Sequence, residues 1–327
     1  MAQAADYSAQ KLKVDSIEIV RLTDAPHHME VSICPSIGNI AYEMKVKGKE
    51  ILLPPPAKLD AWKAKPAQAG IPFLAPWANR IDPDAYWANG RKYLLNPDAG
   101  SLRRDANGLA IHGLLLFASD WELIRLNANQ TGAEVTSRLE FWKHPEWMVQ
   151  FPFAHTIEMT YRLAEGMLEV RIAIDNQSTD PMPLLIGLHP WYQIPDVPRD
   201  QWTVHLPVRE HYTLSSKLIP TGETTPVELA DATPLAGRQF DDVYGNLNPD
   251  DEFWVEGKGK RISVRFGSKF PVGVVYAPQG RNIICFEPMT GVTNAFNLDH
   301  AGVYKGLQSV PAGGKWSERF WIRPTGF

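Results

Sequence analysis

The chain has 327 residues, 44% of them hydrophobic and 21% charged, with a formal net charge of -4, a balance that suits a globular protein with a sizeable core. So small an acidic excess, without a Lys/Arg stripe interleaved with aromatics, argues against a nucleic-acid binder and against a polyanionic or strongly basic partner. Small neutral ligands fit better.

Met1 to Gln10 lacks the basic-then-apolar layout of a secretion signal, and no apolar run approaches bilayer length, so the expectation is a cytoplasmic protein with no membrane partner. Residues 1–14 read as a flexible N-terminal extension of a single domain occupying 1–327. Ile17 to Leu22 and Glu30 to Cys34 are short β-branched runs that read as strands. Val46-Lys47-Gly48-Lys49-Glu50 and Trp87-Ala88-Asn89-Gly90-Arg91 read as tight turns between strands, the second carrying an Asn-Gly pair that tolerates positive φ at both central positions. Arg138 to Trp142 is the next strand candidate. From Ile157 to Leu163 apolar residues alternate with Glu158, Thr160 and Arg162, and after Ala164-Glu165-Gly166 the alternation resumes at Leu168, Val170, Ile172 and Ile174, which predicts a hairpin with one buried face. Trp202 to Leu206, Arg261 to Phe266 and Val272 to Tyr276 continue the series between Pro- and Gly-bearing loops. Almost no segment keeps a helical period, proline is dispersed, and no repeat or composition shift marks a boundary. The expected fold is all-β, a large antiparallel sandwich.

Two polar residues close apolar runs in the same way. Met182 to Leu188 leads into His189-Pro190-Trp191, and Asn282 to Phe286 leads into Glu287-Pro288, where a carboxylate at a strand end is expected and the proline stops the pattern. Singly, such residues often only hydrogen-bond nearby backbone; together they supply a candidate acid and base. Gly70 to Ile81 sets two prolines and a glycine before Asn79 and Arg80, an irregular segment able to aim Arg80 at substrate hydroxyls; the competing reading pairs Arg80 with Asp82 or Asp84 at the surface. Ile111-His112-Gly113 follows the turn at Asn107-Gly108. In Phe240-Asp241-Asp242-Val243-Tyr244 the adjacent carboxylates point to opposite faces of an extended chain, so one of them lines any given pocket and the other is solvated.

The histidines lack metal-ligand spacing, and a phosphate-cradling loop, a dinucleotide fingerprint and Gly-x-Ser-x-Gly are all missing from the sequence. No metal and no cofactor are expected. Cys34 and Cys285 read as two buried thiols.

The ordered set Pro76-Trp77-Ala78-Asn79-Arg80, His112-Gly113, His189-Pro190-Trp191, Phe240-Asp241-Asp242 and Phe286-Glu287-Pro288, followed by Asn294-Ala295-Phe296-Asn297, resembles the aldose 1-epimerase (galactose mutarotase-like) family over roughly Asp15 to Pro324. The resemblance implies a β-supersandwich with a sugar in an open cleft, and interconversion of α and β anomers of a free hexose by general acid/base ring opening and closure. It implies Glu287 as the base that takes the anomeric hydroxyl proton and His189 as the acid that protonates the ring oxygen. Arg80, His112 and Asp241 correspond to sugar-hydroxyl binders, with Asn79 beside Arg80. Trp191 and Trp77 are expected as an apolar platform. The sequence departs from the family's usual pattern at Trp191-Tyr192 and at Asp242, which leaves the sugar open. A hexose-6-phosphate epimerase is the alternative, with Arg103-Arg104 as its phosphate site or else a solvated loop pair. A non-catalytic sugar sensor on the same fold is a further alternative, as is a lyase-like sandwich, which usually carries a helical half that this chain lacks.

Overall fold

The computed structural model describes residues 6–100, 102–227, 229–249 and 251–327. Its named strand pairs are antiparallel; most fall into three principal sheets, and the rest form two-stranded ones. The first is a five-stranded meander of Tyr7–Val14, Ile17–Asp24, Met29–Cys34, Ile40–Val46 and Lys49–Glu50. Here the extension expected over residues 1–14 is corrected: Tyr7–Val14 pairs along its whole length with Ile17–Asp24, Tyr7 opposite Asp24 and Val14 opposite Ile17. Leu12 and Val14 pack on a satellite cluster around Ile19, Tyr42 and Trp62, so burial orders this segment despite its polar composition. Residues 1–5 lie outside the described residues.

The second sheet has nine strands, beginning Glu122–Asn129, Gly132–Glu140, His155–Ala164, Met167–Asn176 and continuing through Lys315–Thr325 to Lys260–Phe266 and Glu252–Gly257. The third has eight, running Pro220–Pro226, Glu210–Leu214, Phe240–Gly245, Val272–Ala277, Ile284–Met289, Gly187–Leu188 and Phe73–Leu74, with Trp191–Tyr192 also on Ile284–Met289. Phe286 of the eight-stranded sheet lies 5.6 Å from Phe253 of the nine-stranded one, and Phe253 stacks on Phe266 at 4.8 Å. These rings sit in one apolar core that draws on all three sheets.

The predicted hairpins form, and for the expected reason. Lys47-Gly48, Asn89-Gly90 and Glu165-Gly166 all take positive φ and join directly paired strands in two-residue turns. The strand expected to run to Trp142 ends earlier, because Phe141–Lys143 turns into a 3₁₀ segment that buries Phe141. The Met182–Leu188 run is divided into Met182–Leu184 and Gly187–Leu188, which belong to different sheets. Among the described residues, no helix is long and apolar enough to cross a membrane.

Candidate active site

Glu287 is not at a strand end. Ile284–Met289 runs through Glu287 and Pro288, and the neighbouring strand is interrupted at His189-Pro190, between Gly187–Leu188 and Trp191–Tyr192. That interruption builds the site. Gly187 pairs with Met289 before the break, and Trp191 with Cys285 after it. The register is the same on both sides, so His189, in the gap, stands directly across from Glu287. Its Nε2 lies 3.3 Å from Glu287 Oε1, and the side chains are 9% and 2% exposed.

Alternation along the sheet does the rest. Glu287 pairs with Val274, which pairs with Val243; two residues along, Trp191 pairs with Cys285, Cys285 with Tyr276, and Tyr276 with Asp241. These two rows share one face. His189, Glu287, Val274, Val243, Trp191, Tyr276 and Asp241 line an open cleft of about 440 Å³, a volume within the ~300–1,000 Å³ of small-molecule sites. Phe286, on the opposite face, faces the core. Asp242 likewise turns away from Asp241 and accepts a hydrogen bond from His211 Nε2 at 2.9 Å.

The second wall comes from the segments around Asn79 and His112. Arg80–Ile81 pairs with Ala110–Ile111, and the His112 N–H donates to the Asn79 carbonyl at 2.9 Å. Asn79 and His112 both have left-handed backbone, with φ of 53° and 63°, a conformation Asn and His tolerate better than most. Gly113, at φ 65°, packs so closely that a Cβ would stand 2.1 Å from the Ala75 carbonyl oxygen. Asn79, Arg80, Ile111, His112, Gln68, Arg281, Leu214, Leu218 and Thr293 complete the lining.

Arg80 pairs with neither Asp82 nor Asp84. Its Nε donates to Asp105 Oδ2 at 2.7 Å, while Asp105 Oδ1 accepts from the N–H groups of Asn107 and Leu109, both at 2.9 Å. Burial pushes the Asp105 carboxyl up, but the Arg80 bond and the two N–H donors outweigh it and hold the group below its ordinary value. Behind Arg80, Asn297 Nδ2 donates to the carbonyls of Asp82 and Ala85 at 3.1 and 2.9 Å, and Asn294 Nδ2 donates to Asp82 at 3.1 Å. The tip of the Glu210–Pro226 hairpin is clasped over the same segment by Lys217 Nζ and Asp82 Oδ2, 2.7 Å apart.

The interior of the cleft is short of partners. His189 Nδ1, His112 Nδ1, Glu287 Oε2, Trp191 Nε1 and Gln68 Oε1 are buried without a hydrogen bond among the described residues, an arrangement that invites a polar ligand. Burial drives the His189 imidazole down toward its neutral form. The same burial, reinforced by Asp241 and opposed by Arg80, drives the Glu287 carboxyl well up. His112 is pushed far down by burial and then by His189, Arg80 and Arg103. Asp241 is raised by desolvation against the opposing pull of Arg80.

All seven residues singled out in the sequence, Asn79, Arg80, His112, His189, Trp191, Asp241 and Glu287, line this one cleft. Trp77 does not. It is fully buried in the core, so of the two tryptophans only Trp191 faces the cleft, its ring stacked on His189 at 4.6 Å and 10°. Arg104 is committed to Asp84 at 3.0 and 2.8 Å, and Arg103 lies 4.9 Å over Phe117; neither lines the cleft. Sequence reasoning missed Gln68, Tyr276, Arg281 and Asp105. Only Asp105 left a signal, the Asp-x-Asn-Gly turn it opens.

A family model described as aldose 1-epimerase matches residues 18–323. A protein of Escherichia coli K12 named uncharacterized protein YihR is 27% identical over 231 residues, 68% of this chain and 70% of that protein. Among solved structures, a galactose mutarotase-like protein from Clostridium acetobutylicum superimposes with a TM-score of 0.87 at 21% identity, covering 98% of this chain and 99% of that one. Galactose 1-epimerase from Lactobacillus acidophilus gives a TM-score of 0.77 at 12% identity, covering 98% and 99%. These structural likenesses establish the galactose mutarotase-like fold.

Proposed function

The chain belongs to the aldose 1-epimerase family, and from that premise we propose that it interconverts the α and β anomers of a free hexose. Glu287 takes the proton of the anomeric hydroxyl. As that oxygen becomes a carbonyl, the bond between C1 and the ring oxygen breaks and its electron pair takes a proton from His189. The C1–C2 bond then rotates, and the reverse transfers close the ring on the other face. Both oxygens are bonded to the same carbon, so acid and base must converge on neighbouring points. The 3.3 Å contact between His189 Nε2 and Glu287 Oε1 is the observation that carries this reading. Ring opening takes the pair from carboxylate and imidazolium to carboxylic acid and neutral imidazole; burial favours the second state, so the proton must pass from Glu287 to His189 before the sugar is opened. Asn79, Arg80, His112 and Asp241 bind hydroxyls, and Trp191 offers an apolar face.

The two arginines that the sequence offered for a 6-phosphate stand elsewhere, Arg104 spent on Asp84 and Arg103 over Phe117, which leaves Arg281 as the cleft arginine without an ion pair among the described residues. Polarimetry on freshly dissolved α-D-glucose and α-D-galactose tests the proposal. Wild type should accelerate mutarotation of at least one sugar above the spontaneous rate, whereas Glu287→Gln and His189→Asn should each lose about 100-fold or more. A Glu287→Gln variant with near-normal turnover would overturn the assignment. A folded wild type inactive on both sugars would instead favour the sugar-sensor reading.

A further inference from the structure

Beside the proposed acid and base stands a thiol that the ring-opening chemistry does not use. Cys285 and Glu287 are two apart on one strand and so share a face; His189 is across from Glu287. One ligand atom from each of His189, Cys285 and Glu287 lies within 4.8 Å of the others, and all three residues are buried. Two of the three carry a polar atom with no partner among the described residues, His189 Nδ1 and Glu287 Oε2. We propose that His189, Cys285 and Glu287 form a site for a thiophilic divalent cation such as Zn²⁺, and that its occupation blocks the proton-transferring pair.

The donor set is the argument. Imidazole, thiolate and carboxylate are the ligands zinc takes, with Zn–S near ~2.3 Å and Zn–N near ~2.0 Å, which sets tetrahedral ligand atoms roughly 3.5 Å apart. Side-chain adjustment of about an ångström closes the present triangle to that size. Charge balance favours the complex as well. A thiolate and a carboxylate are each costly in this buried place, but with Zn²⁺ and a neutral imidazole they sum to zero. Binding releases two protons to solvent, one from the Cys285 thiol and one from the proton that the His189–Glu287 pair shares. Hard cations such as Mg²⁺ and Ca²⁺ prefer all-oxygen sites and are disfavoured by the thiol. Protein supplies three ligands, so the fourth position is left to water or a sugar hydroxyl on the cleft side.

Cobalt(II) titration reads this site without reference to turnover. Wild type should bind one Co²⁺ with a thiolate-to-metal charge-transfer band in the near ultraviolet, and Zn²⁺ should displace it stoichiometrically. Cys285→Ala and the bulkier Cys285→Val should lack the band and bind Zn²⁺ at least about tenfold more weakly. Cys34→Ala should keep the band, since that thiol lies in a separate apolar cluster. Where epimerase activity is present, micromolar Zn²⁺ should suppress it in wild type and spare the Cys285 variants. The inhibitory half rests on the proposed function; the binding half does not. A band in an inactive protein would therefore sink the epimerase reading alone. Active protein with no thiolate band, or equal zinc affinity in the Cys285 variants, would sink the metal site alone.

Discussion

Asp241 and Asp242 are neighbours with opposite prospects. Asp241 lines the cleft beside Tyr276, while Asp242 is turned away and held by His211. Asp241→Asn should lower kcat/KM by about tenfold, the scale of a lost charge-assisted bond, and Asp242→Asn should leave it within about twofold; steady-state kinetics on the two variants checks this, and the reverse order would refute it. The opposite facing was legible from strand alternation alone. So were Glu287 and His189, because an ionisable residue beside an apolar run stands out in one dimension. Gln68, Tyr276 and Arg281 were not legible, since what brings them to the cleft is cross-strand register and loop path. Trp77 misled for the converse reason: residue type suggests a sugar platform, and only the three-dimensional path shows it fully enclosed.

At the scale of an element, the hairpin ending in Lys49–Glu50 carries a carboxylate with a measurable cost. Glu50 Oε1 accepts from the N–H groups of Met44 and Leu52 at 2.9 and 3.0 Å, yet burial outweighs those bonds and pushes the group up to about 7. The folded value exceeds the unfolded one, so the unfolded chain holds fewer protons between pH ~4.5 and 7. Stability from this group is therefore complete below the unfolded value and is lost as pH rises through about 7. Glu50→Gln, which keeps the acceptor, should remove that component of the slope, worth up to roughly 3 kcal/mol; urea unfolding at pH 4.5 and 8 measures it, and identical slopes in both proteins would refute it. The same meander shows why the N-terminal segment was misread. Its apolar residues are few, and its order derives from Ile17–Asp24 as a pairing partner, which composition does not register. Hairpin turns, by contrast, were legible because backbone chirality restricts which residues tolerate positive φ.

For the molecule as a whole, the cleft is a meeting of distant segments. Its floor belongs to the eight-stranded sheet, its wall to the stretch around Arg80 and His112, and the Lys217–Asp82 clasp bridges the two. That pair is half open to water, so its contribution is at most about 1 kcal/mol and is screened by salt. Lys217→Ala should raise KM by up to about fivefold with kcat unchanged, and 0.5 M NaCl should bring wild type toward the variant. A kcat effect, or a salt-independent difference, would show that the hairpin tip acts otherwise.

The break between Leu188 and Trp191 has one further consequence. Because pairing resumes in phase on its far side, the two residues His189-Pro190 serve as a ruler whose length must be conserved for the face to be kept. Lengthening it by a single residue would shift all that follows by one place. Trp191 would turn into the core and Tyr192, now packed 5.9 Å from Phe286, would turn to the cleft face, and an insertion ahead of the histidine would also take it from its place across from Glu287. This cleft therefore tolerates exchange of its side chains far better than a change in the count between them.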